Sequence, residues 1–88
     1  MTSQETLFEF PCAFPIKIMG AHRSDFESEI LKALTPYLGR LPAHQVEQRL
    51  SRNGHYISLT ITFEAQSKNH IDEVYHCLTA HPWVKLVF

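Results

Sequence analysis

His55-Tyr56-Ile57-Ser58-Leu59-Thr60-Ile61-Thr62-Phe63-Glu64-Ala65 alternates without interruption. Ile57, Leu59, Ile61 and Phe63 point one way, and Tyr56, Ser58, Thr60, Thr62 and Glu64 point the other. Side chains on an extended chain repeat every two residues, and β-branched residues fit the pleat, so this is a strand. One apolar face and one polar face mean a sheet that covers a core on one side and is open on the other.

The elements on either side follow from this strand. Just upstream, Ser51-Arg52-Asn53-Gly54 carries an Asn-Gly pair, a hairpin signal. It predicts an antiparallel partner over 44–50, with Val46 and Leu50 inward. Downstream, Ile71, Val74, Tyr75 and Leu78 lie at i, i+3, i+4 and i+7, which predicts a helix over 68–80 capped by Ser67 or Asn69. His81-Pro82 ends it, and a last strand runs over 83–88. There Val84, Leu86 and Phe88 are expected on the core side and Trp83, Lys85 and Val87 on the open side. Near the other end, Phe14, Ile16 and Ile18 alternate with Pro15, Lys17 and Met19 in a strand over 14–19 that Gly20 closes. Ser24 and Glu27 form a capping-box pattern. Phe26, Ile30 and Leu34, with Leu31 and Leu38, make a helical stripe, and Pro36 predicts a looser turn beyond Leu34.

The order is β-α-β-β-α-β, the ferredoxin-like arrangement of an α+β sandwich. Right-handed crossovers give an antiparallel sheet of order 4-1-3-2 with both helices on one face. Residues 14–88 form a single domain. Residues 1–13 form an anchor segment, in which Leu7, Phe8 and Phe10 are too apolar for a free tail and Pro11 and Pro15 oppose a helix.

Composition narrows the function. The chain has 88 residues, with eight Lys or Arg, nine Asp or Glu, and a formal net charge of −1. A general nucleic-acid binder needs a clustered positive surface. An RNA platform on this fold stacks bases on central-strand aromatics, and only Tyr56 is expected there, so no nucleic-acid partner is expected. Two cysteines, Cys12 and Cys77, are too few for a secreted disulfide framework. The N-terminal residues are polar, and no apolar run is long enough to span a membrane. The expected compartment is the cytoplasm, with no membrane contact.

Leu7 to Gly20, with its Glu9-Phe10-Pro11 followed by Lys17-Ile18-Met19-Gly20, resembles the opening of the YbeD-like family of small bacterial proteins. Asn53-Gly54, Tyr56, Ser58 and Thr60-Ile61 are similar to that family's third strand. The resemblance covers nearly the whole chain. It implies a cytosolic protein similar in fold to ACT domains, which are small-ligand regulatory modules, and it implies no catalytic residues. It also carries an association with lipoate-attachment genes.

Two candidate sites follow from the topology. The end of the first strand, the strand 2–3 hairpin and the start of the last strand share one edge. That edge collects Gly20, His22, Arg23, Arg52, His55 and His81 beside a helix N-terminus, whose free N–H groups favour an anion. This predicts a locally basic rim that holds a small anionic metabolite, with Gly20 permitting close approach. The alternative is a tight turn at Gly20 and a solvated polar rim. The second candidate is an apolar patch of Met19, Tyr56, Trp83 and Val87 on the open sheet face, which would meet a protein partner or a second copy. The alternative there is coverage by Phe8 and Phe10 of the same chain.

Metal binding needs convergent ligands. His22, His55 and His81 sit on separate elements, and Cys77 with His81 is only an i, i+4 pair, so no metal and no cofactor are expected. No Ser-His-Asp, phosphate-loop or dinucleotide pattern is present, so the chain is expected to bind rather than catalyse.

Overall fold

The computed structural model describes residues 9–88. Its elements are β1 (Cys12–Ala21), α1 (Phe26–Leu38), β2 (Val46–Leu50), β3 (Tyr56–Ala65), α2 (Lys68–Thr79) and β4 (Val84–Val87), with a short 3-10 turn at Ala43–Gln45. The four strands form one antiparallel sheet in the order β2-β3-β1-β4. This is the expected α+β arrangement and strand order.

The alternation of β3 sets the layers. Ile57, Leu59, Ile61 and Phe63 are buried together with Ile16 and Ile18 of β1, Phe26, Ile30 and Leu34 of α1, and Ile71, Val74 and Leu78 of α2. Ten consecutive β1–β3 pairs, from Cys12 with Ala65 to Ala21 with Tyr56, lock the register, because a one-residue slip would turn this core outward.

Several local expectations are corrected. The β1 strand runs past Gly20 to Ala21. Pro15 is tolerated inside β1 because β4 runs alongside only the other end of that strand. The Ser24–Glu27 capping box does not form. Helix α1 begins at Phe26 with Asp25 as its N-cap residue, and Asp25 makes no side-chain cap bond. The helix also continues through Pro36 to Leu38, and the Thr35 hydroxyl donates to the Leu31 carbonyl at 2.9 Å within this turn. Residues 44–45, expected as strand, fall in the 3-10 turn at Ala43–Gln45 instead. For α2 the Ser67 alternative holds: its hydroxyl accepts the His70 N–H at 3.1 Å.

The β2–β3 turn is a four-residue loop, Arg52 to His55, closed by the Ser51–Tyr56 backbone bond at 2.9 Å. Gly54 sits at φ +76°, and the Asn53 side chain accepts the His55 N–H at 3.0 Å.

The largest correction lies in β4. Gly20 pairs with Val84, whereas Met19 pairs with Leu86, so Lys85 is an extra residue opposite that step. A bulge of this kind reverses the alternation beyond it. Val84 and Val87 therefore pack on the core side, and Leu86 lies on the open side. Phe88 follows onto the open side, exchanging both backbone bonds with Lys17 at 2.6 and 2.8 Å.

Candidate functional site

The rim residues do meet at one edge. His22 N–H donates to the His55 carbonyl at 2.9 Å, tying the end of β1 to the β2–β3 loop. The Arg23 guanidinium stacks on the Trp83 ring, 3.7 Å from its centroid, and its Nε lies 3.6 Å from Asp25. The His81 and Trp83 rings meet edge to face with centroids 5.7 Å apart. His22, Arg23, Arg52 and His55 are exposed, and His81 is half-buried.

Two features change the chemistry read from sequence. First, the Nδ1 of His81 accepts the Trp83 N–H at 3.1 Å, and Nε2 lies 3.2 Å from the Glu29 carboxylate. A nitrogen that accepts cannot also carry the proton, so the neutral ring is protonated at Nε2 and donates to Glu29. His81 is thus committed to orienting the α2–β4 connection. Second, carboxylates enter the rim: Asp25 lies beside Arg23 and Glu29 beside His81. The Ser24–Glu27 spacing suggested only helix-start chemistry.

Replacing His81 with Leu strands the Trp83 N–H and removes the donor to Glu29. It is expected to lower stability by about 2 kcal/mol, within the range for leaving a buried polar group unpaired. Leu in place of the exposed His55 should shift stability by less than about 0.5 kcal/mol. Urea denaturation of the two variants checks this, and equal midpoints would refute the structural role of His81.

Gly20 is explained by packing. A Cβ there would meet the Trp83 carbonyl oxygen and would lie 2.5 Å from Cε1 of Phe26. The space that the anion reading reserves for close approach is filled from within.

The second predicted set does not assemble. Met19 and Tyr56 lie on the open face, whereas Trp83 packs half-buried against the core and Val87 faces it. The bulge puts Leu86 and Phe88 in their place. On the open face Tyr56 is 44% exposed, Leu86 55% and Phe88 56%, with half-buried Met19 beside Leu86. Phe10 packs against the core, and Phe8 lies outside the described residues. A Gly within a strand pattern is the signal that could have revealed the bulge.

The same face carries a depression of about 110 Å³ lined by Lys17, Glu47, Arg49, Ser58 and Thr60. These residues occupy adjacent strands: Lys17 pairs with Thr60 and Thr60 with Glu47, while Ser58 pairs with Arg49. The Lys17 ammonium lies 5.7 Å from the Phe88 ring centroid.

Cys77 and His70 have structural surroundings. Cys77 donates its S–H to the Ala33 carbonyl at 3.4 Å, and burial pushes its pKa up. The thiolate is the reactive form. Cys77 is therefore expected to alkylate more slowly in the folded protein than in urea, and equal rates would refute this. A raised folded pKa favours the neutral thiol, so the small stability it contributes is lost as pH rises through the thiol range. His70 joins the helices, its Nδ1 accepting the Gln66 N–H at 3.1 Å and its Nε2 donating to the Tyr37 carbonyl at 2.8 Å. Among the described residues, no three His, Cys, Asp or Glu side chains converge as a metal site, and no helix is long and apolar enough to cross a membrane.

The sequence profile of a family described as "Protein of unknown function (DUF493)" matches residues 5–88. Similar curated proteins include a UPF0250 protein of Paraburkholderia phymatum, 43% identical over 83 residues, covering 94% of this chain and 93% of that protein. A UPF0250 protein of Nitrosomonas europaea is 40% identical over 85 residues, covering 97% and 98%. One from Neisseria gonorrhoeae is 37% identical over 90 residues, covering 99% of each.

Proposed function

The chain belongs to the DUF493 family, and from that premise we propose that it is a cytoplasmic, non-enzymatic binding module that meets a protein partner through the open face of its sheet. The observation that carries this reading is the group of apolar side chains on the open face at β4, with Met19 of β1 and Tyr56 of β3 beside it. Leu86 and Phe88 are each more than half exposed, and Met19 and Tyr56 extend the patch. A contiguous exposed apolar surface on a small domain marks a docking site more often than isolated exposed residues do.

The rim is a weaker seat for a small anion. Glu29 engages His81, Asp25 lies beside Arg23, and Gly20 is filled by Phe26 and Trp83. Of the two arginines at that edge, Arg52 alone makes no ion pair among the described residues, so a single guanidinium is left there for an anionic ligand of the ACT kind. The rim therefore serves here to hold β4 in register, and through the bulge it sets which side chains reach the open face.

A photo-crosslinking amino acid placed at Tyr56, and separately at Arg52, tests the choice in native cell extract. A discrete protein adduct from position 56 and none from position 52 is expected. Adducts from position 52 alone would place the working surface at the rim.

A further inference from the structure

We propose that the partner is an acidic protein segment, and that the depression between β2 and β1 receives one of its carboxylates while its apolar residues lie on Met19, Leu86 and Phe88. This rests on the open face being the working surface.

Two rows of side chains cross the open face. One runs Glu47, Thr60, Lys17, Phe88, and the other runs Arg49, Ser58, Met19, Leu86. The face is therefore divided, with charge and hydroxyls over β2, β3 and Lys17 of β1, and apolar groups over Met19 and β4. Among the described residues neither Lys17 nor Arg49 makes an ion pair, as is also true of Lys32, Arg40, Arg52 and Lys85, so what sets these two apart is their place together in the depression. Lys17 and Arg49 against Glu47 leave the depression at net +1, in a chain whose formal charge is −1. The Thr60 hydroxyl supplies a donor for an oxygen anion, whereas the Ser58 hydroxyl donates to the Arg49 carbonyl at 3.5 Å.

Charge and size select the occupant. A net of +1 matches one carboxylate better than a phosphate group carrying about −1.5 to −2. A volume of about 110 Å³ is well below the roughly 300–1,000 Å³ that encloses a small-molecule ligand. The depression admits one acidic side chain, and the rest of the occupant must lie on the exposed face, which calls for a polypeptide. A second copy placed by a two-fold axis would bring the same residues, pairing two Glu47 with two Lys17 and two Arg49 and leaving net +2 across the contact. A single-stranded nucleic acid would need stacked aromatics, yet Tyr56 and Phe88 are about 13 Å apart along the strands and about 10 Å across them.

Random twelve-residue peptides displayed on phage are selected against the full chain, and the enriched peptides are synthesised for titration. Enriched peptides should carry Asp or Glu next to aliphatic or aromatic residues. The Lys17→Glu/Arg49→Glu variant should weaken their binding about tenfold, as two exposed charge contacts turn repulsive. Its thermal midpoint should stay unchanged, and Lys32→Ala, at an exposed position of α1, should bind as the parent does. The proposal is overturned by failure to enrich any peptide, by enrichment without acidic residues, or by indifference to the double reversal. It is also overturned by a dimer in sedimentation that Leu86→Ser/Phe88→Ser abolishes, or by oligouridine binding that the double reversal abolishes. Peptides that need Leu86 and Phe88 but not Lys17 and Arg49 would defeat the carboxylate and leave the open face standing. Peptides that need neither pair would defeat both.

Discussion

Replacing Phe26 with Ala should lower stability by about 4 kcal/mol, as large-to-small substitution of a buried aromatic does. Phe26 is fully buried at the first position of α1 and shares a core with β1, β3 and α2. Its ring also closes over Gly20, where a strand backbone without a Cβ leaves room for it. An 88-residue domain has a total stability of about 4–13 kcal/mol. The loss therefore consumes a large part of the total and should lower the thermal midpoint by more than about 15 °C. The exposed Tyr37 is the control, and its replacement by Ala should cost less than about 0.5 kcal/mol. Calorimetry of both variants decides the point. A Phe26→Ala midpoint within a few degrees of the parent would mean that the α1 start is not anchored as described.

The fold was legible because β3 states its faces unambiguously and the helices state theirs at 3.6-residue spacing. Ile57 to Phe63 define the core face, and Ile71, Val74 and Leu78 define the face that covers it. Strand order then follows from chain handedness rather than from any single residue. The faces of β4 were not legible. A four-residue strand of Val, Lys, Leu and Val carries too little contrast to fix its own orientation, and its pairing with β1 decides it. Strict alternation put Val87 outward and Leu86 inward, and the extra residue at Lys85 exchanges them.

The same limit governed the sites. Topology gathered His22, Arg23, Arg52, His55 and His81 at one edge, because loop positions follow from strand order. It gave no sign of which carboxylates would join them. Glu29 lies one turn into α1 and reaches His81 across 52 residues of sequence. The open-face depression escaped notice for a related reason. Lys17 lies on β1 and Glu47 and Arg49 on β2, strands that are not neighbours in the sheet, and only the β2–β3–β1 register sets them close together.

Gly20→Ala should cost about 3 kcal/mol, at the upper end of what overpacking one methyl into a closed site costs. The new Cβ would collide with the Trp83 carbonyl and lie 2.5 Å from Cε1 of Phe26. Neither neighbour yields easily. Phe26 is fully buried, and the Trp83 N–H is held by His81, itself bonded to Glu29. Phe26→Leu in the same chain separates the two collisions, since Leu vacates part of the ring's place but leaves the carbonyl where it is. The double variant should therefore be more stable than the sum of the single losses predicts, by about 1 kcal/mol, a coupling of the size seen between touching residues. A coupling near zero would put the cost on the Trp83 carbonyl alone, and loss of hydrogen-exchange protection would then be confined to β4 and its contacts on β1. A neutral Gly20→Ala would refute the close packing altogether. The same packing limits what Gly20 can report about ligands. Any loss of binding in Gly20→Ala must be compared with the unfolding of β4, which carries Leu86 and precedes Phe88 on the open face.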